Sequence, residues 1–142
     1  MATDMPPVAV KSSEPVIVQT GSFEFRMMSR RVNQDYGGTL EVYGLVDGRP
    51  RELLKFDCFA QAPHWHRCYP DRKDEIAQLA PATPAQALDF ALETLRTRFG
   101  PLIAEQGFAG LDPAAAGSEV RTALTGVAAT MAELIQRDPA TL

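Results

Sequence analysis

Residues 39–60 read Thr39-Leu40-Glu41-Val42-Tyr43-Gly44-Leu45-Val46-Asp47-Gly48-Arg49-Pro50-Arg51-Glu52-Leu53-Leu54-Lys55-Phe56-Asp57-Cys58-Phe59-Ala60. Two runs of β-branched and large apolar residues flank Asp47-Gly48-Arg49-Pro50. That pattern predicts two strands joined as a hairpin. The register decides which side chains share a face. A two-residue loop at Asp47-Gly48 pairs Val42 with Leu53 and Leu40 with Lys55, which mixes charge into the apolar face. A five-residue loop, 47–51, pairs Val46 with Glu52, Gly44 with Leu54, Val42 with Phe56 and Leu40 with Cys58. One face then carries Leu40, Val42, Leu54, Phe56 and Cys58, and the other Glu41, Tyr43, Lys55 and Asp57. The second register separates apolar from polar better and is the one expected. It puts Cys58 on the core side and Asp57 on the opposite side. The opposite face also holds Tyr43, Leu45, Leu53 and Phe59, a half-apolar mixture suited to solvent, a ligand cleft or a dimer contact.

Upstream, Phe23, Phe25 and Met27 alternate with Glu24, Arg26 and Met28 in the period of a half-buried strand. Val16-Ile17-Val18 is a short strand, and Asn33 to Gly38 reads as a loop. Pro6, Pro7, Ser12 and Ser13 make residues 1–14 a flexible leader. Downstream, Thr83-Pro84-Ala85-Gln86 is a capping box that opens a helix through Phe99. Gly100-Pro101 stops it, and 102–106 is expected as a short turn. A second helix starts at Asp112-Pro113 or at Gly117-Ser118 and ends at Asp138-Pro139. The expected fold is α+β: a four-stranded antiparallel sheet followed by two main helices on one face, forming a single domain over 15–142.

The chain has 142 residues, 45% of them hydrophobic and 23% charged, with a net charge of −4. This composition is globular. The acidic balance argues against nucleic acid and anionic membrane as partners. No apolar run approaches the roughly 20 residues of a membrane span, and the start lacks the pattern of a signal peptide. A soluble, cytoplasmic protein with two reduced cysteines is expected. There is no glycine-rich phosphate loop, no G-x-S-x-G and no H-E-x-x-H.

Both histidines and both cysteines fall between Cys58 and Cys68. In an extended segment, residues i and i+2 face the same way, so His64 and His66 project together while Trp65 turns to the other side. Two convergent imidazoles suit a divalent metal such as zinc. Cys58, His64, His66 and Cys68 would make a closed structural site. Two histidines with one carboxylate, Asp57 or Asp71, would leave a position for water. Without a metal, His64 or His66 could act as catalytic acid or base, with Trp65, Tyr43 and Asp57 as ligand contacts. Cys68, beside His66 and Arg67, is the candidate for an activated thiol. Arg26, Arg30 and Arg31 are candidate carboxylate or phosphate contacts. The competing reading is structural: both rings hydrogen-bond nearby backbone or stack with Trp65 and Tyr69.

The run Leu54-Lys55-Phe56-Asp57-Cys58-Phe59, followed by Pro63-His64-Trp65-His66, resembles small bacterial proteins of uncharacterised families. In these a hydrophobic strand ends in a Pro-His-x-His loop before a helical C-terminal half. The resemblance spans about residues 39–75, carries no activity across, and implies that the histidine loop is the working end. The expected function is binding of a metal or small polar ligand, with acid–base or hydrolytic chemistry, in a homodimer. The alternative is a non-catalytic interaction module or accessory subunit.

Overall fold

In the computed structural model, which describes residues 9–142, seven strands form one antiparallel sheet and three helices follow. The strands are β1 (Val10–Ser12), β2 (Val16–Thr20), β3 (Phe23–Val32), β4 (Asp35–Val46), β5 (Arg49–Phe59), β6 (His64–Arg67) and β7 (Glu75–Gln78). The helices are α1 (Pro84–Thr97), α2 (Phe99–Gln106) and α3 (Pro113–Leu134). The sheet runs β1-β3-β4-β5-β6-β7, with β2 beside β1 on the same edge of β3. The α+β class with an antiparallel sheet stands, but four strands and two helices is corrected to seven and three.

The reasons are local. β1, β6 and β7 have only three or four residues each, too few for an alternation to register as a pattern. Val10–Ser12, inside the stretch expected to be a leader, pairs with Arg30 to Val32; residues 1–8 of that leader lie outside the described residues. The loop expected at Asn33 to Gly38 shrinks to a two-residue turn with Asn33 at φ 55°. Gly37 and Gly38 belong to β4. At Gly37 a Cβ would fall 2.1 Å from the carbonyl oxygen of Cys58, so no larger residue fits there.

The β4–β5 hairpin corrects the register. Its loop is the two-residue Asp47-Gly48, with φ 52° and 76° as a type I′ turn requires, and Val46 pairs with Arg49. Between Tyr43↔Glu52 and Val42↔Leu54, β5 carries one extra residue, Leu53. This β-bulge restores Leu40↔Phe56 and a segregated apolar face. The tight turn and the apolar face are therefore both kept. Leu53 is fully buried rather than on the polar side. Its carbonyl, displaced from the ladder, accepts from the Cys68 backbone N–H at 3.0 Å and from Gln106 Nε2 at 2.7 Å.

One sheet face meets the helices. Phe25, Met27, Leu40, Val42, Leu54, Phe56 and Trp65 pack there with Leu88 and Leu95 of α1 and Val120, Val127 and Met131 of α3. Each large side chain removed from water contributes about 1.5–3 kcal/mol. The capping box forms as expected: Gln86 N–H donates to Thr83 Oγ1 at 3.1 Å, and Thr83 N–H donates to Gln86 Oε1 at 2.9 Å. Gly100-Pro101 does not end the helical region. The break falls at Arg98, and Pro101 sits in the first turn of α2, where its missing N–H costs no intrahelical bond. Asp112 caps α3 by accepting from Ala114 N–H at 3.0 Å, so the earlier of the two candidate starts is the one used.

Candidate metal centre

Among the described residues α1, α2 and α3 all leave the other face of the sheet uncovered, and its centre lies on β5 and β6. Asp57 points outward because Phe56 and Cys58, its neighbours, point into the core. β6 runs antiparallel to β5 with His64 opposite Asp57, Trp65 opposite Phe56 and His66 opposite Lys55. Period two therefore sends both imidazoles outward. Trp65 goes inward, stacked on Phe56 with ring centroids 5.5 Å apart and planes within 5°. It is core, held also by Phe90, and does not face the histidines as a ligand contact.

The two rings converge on one carboxylate oxygen. His64 Nε2 lies 3.0 Å and His66 Nε2 3.5 Å from Asp57 Oδ2, with the ring centroids 5.0 Å apart. The second oxygen, Oδ1, accepts from Thr39 Oγ1 at 2.6 Å and lies 3.7 Å from an Arg30 guanidinium nitrogen. The outer ring nitrogens are engaged too. His64 Nδ1 is 2.8 Å from the carbonyl oxygen of Ala62, and His66 Nδ1 is 3.7 Å from Asp74 Oδ2. A carbonyl only accepts, so His64 Nδ1 carries a proton and its Nε2 faces Asp57. Backbone hydrogen bonding, part of the structural reading, thus occurs at one nitrogen and leaves the other free for the carboxylate.

Asp57 is only 3% exposed. Burial, the largest influence, opposes its charge. Hydrogen bonds from His64, His66 and Thr39 together outweigh burial and hold the carboxyl well below the usual range. The hydrogen bond to Asp57 raises His64 above its ordinary value, although partial burial pulls the other way.

The remaining candidates are dispersed. Cys58 is fully buried on the core face, where burial pushes its thiol up to about 12. It is on the opposite side of the sheet from the histidines, so Cys58, His64, His66 and Cys68 do not form one set. Cys68 is on the outer face, but its sulfur lies against Glu52 and Asp74. Burial and then those two carboxylates raise the thiol strongly. The expected activation by Arg67 fails because Arg67 points to the other face, over Trp65 and paired with Glu75 at 2.9 Å. Tyr43 donates to Glu52 Oε2 at 3.2 Å and lies beneath Arg26, at 3.9 Å from the ring centre. Asp71 does not join the two histidines, whereas Asp74 of the same charged run lies beside Glu52 and Cys68, with its Oδ2 3.7 Å from His66 Nδ1. Thr39, Glu52 and Asp74 were not singled out by sequence reasoning. Neither expected hairpin register sets Thr39 across from Asp57; the bulge at Leu53 creates that pairing. A groove of about 460 Å³ lies elsewhere, between α1 and α3, lined by residues such as Leu92, Arg96 and Leu124.

The donor spacing has chemical content. An ion about 2.1 Å from each ligand sets adjacent ligands roughly 3.0 Å apart in octahedral and roughly 3.4 Å apart in tetrahedral geometry. The 3.0 and 3.5 Å separations around Asp57 Oδ2 span that range, which is also the range of imidazole–carboxylate hydrogen bonds. The contacts behind the ligands are also of the kind that orient them: a carbonyl behind His64, a carboxylate behind His66 and a hydroxyl behind Asp57.

No helix of the described residues is long and apolar enough to cross a membrane. No curated protein and no solved structure matches the chain. A family model, described as a domain of unknown function, matches residues 17–132, a span that includes Asp57, His64, His66 and Cys68. With most of its length under that match, the chain belongs to the DUF7700 family.

Proposed function

We propose that this protein binds a divalent metal ion through Asp57 Oδ2, His64 Nε2 and His66 Nε2, leaving at least one coordination position for water or a small polar ligand. The observation that carries the reading is the spacing of those three donors, two of them at 3.0 and 3.5 Å from the third. Three protein ligands on a face without a helix form an open set, of the kind found in catalytic rather than structural zinc sites. The chemistry that suits such a set is hydrolytic or acid–base, with the ion polarising a substrate oxygen or lowering the pKa of bound water.

The test is metal analysis of the untagged protein after loading with zinc, alongside His64→Ala, His66→Ala and Asp57→Asn. Stoichiometric metal in the wild type, reduced by one equivalent in every variant, is the expected result. Equal metal content in wild type and variants sinks the reading.

One observation favours a second reading, an interaction module. β7 is an open sheet edge, and Ile76, opposite His66, is 56% exposed. A homodimer joined at that edge is its simplest form. Light scattering at micromolar concentration tests it, and a clean monomer removes it.

A further inference from the structure

A second group of metal-ligating side chains converges on the same sheet face, and its members are Glu52, Cys68 and Asp74. The β5 bulge contributes to it: Glu52 is the last residue before Leu53, and the Leu53 carbonyl holds the Cys68 backbone. Cys68 Sγ lies 3.6 Å from Glu52 Oε1 and 3.7 Å from Asp74 Oδ2. A thiol has one proton and can satisfy only one of those carboxylates. The other oxygen then faces sulfur with no donor between them, although Cys68 is only 6% exposed. Among the described residues no lysine, arginine or histidine nitrogen comes within 4.0 Å of the Glu52 carboxylate, and His66 Nδ1 is the one basic nitrogen that close to Asp74. Three ligand atoms, one each from Glu52, Cys68 and Asp74, thus lie within 4.8 Å of one another, with no basic side chain on Glu52.

The distances say what kind of cation fits. A tetrahedral ion with bonds of about 2.3 Å to sulfur and about 2.0 Å to oxygen places those ligands roughly 3.5 Å apart. The two S···O separations lie close to that length. The Tyr43 hydroxyl donates to Glu52 Oε2, which orients Oε1 toward the sulfur. The Asp74 side chain is 42% exposed, so the site has an open side for entry.

We propose that Glu52 Oε1, Cys68 Sγ and Asp74 Oδ2 form a second cation site, for a thiophilic divalent ion such as zinc, with water completing the shell. On binding, the Cys68 S–H bond breaks, its proton passes to solvent, and the sulfur electron pair goes to the ion. The site uses none of the ligands of the histidine centre and stands independently of it. Asp74 Oδ2 nevertheless faces His66 Nδ1 at 3.7 Å, so occupancy of one site bears on the electrostatics of the other.

Cobalt(II) titration of the untagged full chain tests the assignment, read by near-ultraviolet absorption and by metal content after dialysis. The expected result is a thiolate-to-cobalt charge-transfer band that persists in His64→Ala and Cys58→Ala. It disappears in Cys68→Ser, and the apparent affinity falls about tenfold or more in Glu52→Gln. Circular dichroism separates a lost ligand from a lost fold. If Cys68→Ser does not fold, Glu52→Gln, which keeps side-chain size and the thiol, decides the matter. No band in the wild type, a band that survives Cys68→Ser, or unchanged affinity in Glu52→Gln overturns the proposal. A band in the wild type with metal content unaltered in His64→Ala leaves this site standing and removes the histidine centre.

Discussion

The two faces of the β5–β6 ribbon share one backbone and one set of ladder hydrogen bonds, yet do different physical work. Inward, Phe56, Cys58 and Trp65 are buried among helix side chains. Burial of this kind is non-directional and scales with area. Outward, displaced by one residue, Asp57, His64 and His66 form a directional cluster in which separations of a few tenths of an ångström matter. A buried carboxylate is costly unless it is compensated. Asp57 is compensated by four side chains: Thr39, Arg30 and the two histidines. The lesson is separability: the inner face carries the apolar packing, and the outer face carries the directional polar cluster.

The separation is tested most severely by Phe56→Ala. Phe56 is fully buried against Trp65 and Phe90, so urea denaturation is expected to show a loss of about 3–5 kcal/mol. Protein that remains folded keeps its metal content. Equal losses of fold and metal would break the division between faces.

Asp57→Asn has the next largest effect, about 1.5–3 kcal/mol at a pH where the wild-type pair is charged. The pH dependence of the metal-free protein carries the sign. Asp57 is depressed in the folded state, so its contribution is present above about pH 4 and is lost as pH falls through its folded value. His64 is raised, so its contribution is complete below about pH 6.5 and is lost as pH rises through its folded value. Wild-type stability from this pair therefore peaks between about pH 4 and about pH 6.5. Urea midpoints measured below, within and above that window are expected to lose both limbs in Asp57→Asn. Two intact limbs in the variant would place the source elsewhere.

Thr39→Val removes the donor to Asp57 Oδ1 while conserving shape. A loss of about 1–2 kcal/mol is expected, with zinc affinity down about tenfold because the carboxylate is less firmly oriented. Competition with a chelator measures the second number, and unchanged affinity would show that Thr39 is structural only. The smallest effect belongs to Lys55→Ala. Lys55 sits 3.7 Å from Glu41 on the outer face, a partly exposed pair worth about 0–1 kcal/mol. A larger loss would mean that the outer face contributes more to stability than the division allows.

The legible part of the fold was the part with enough residues to show a period. β3, β4 and β5, with ten to twelve residues each, and the capped helix α1 declare themselves by alternation, spacing and end chemistry. β6 and β7 do not, because four residues make at most two inward positions and only Trp65 of β6 is strongly apolar. The hairpin shows the limit most sharply. Turn residues demanded a two-residue loop, and face segregation demanded a different register. Weighing one against the other could not produce the bulge at Leu53 that meets both demands. That bulge depends on Gln106, more than fifty residues away, to satisfy its carbonyl.

The candidate site divides in the same way. His64 and His66 share a face because extended backbone has period two, and Asp57 lies opposite the core side because Phe56 and Cys58 flank it; both follow from residue order alone. Pairing β6 with β5 so that His64 stands across from Asp57 is a contact between chain segments, and so is the placement of Cys68 beside Glu52 and Asp74. Local order dictates which way a side chain points relative to its neighbours. Only the closing of loops between distant segments, governed by the packing of helices on the inner face, decides what it meets.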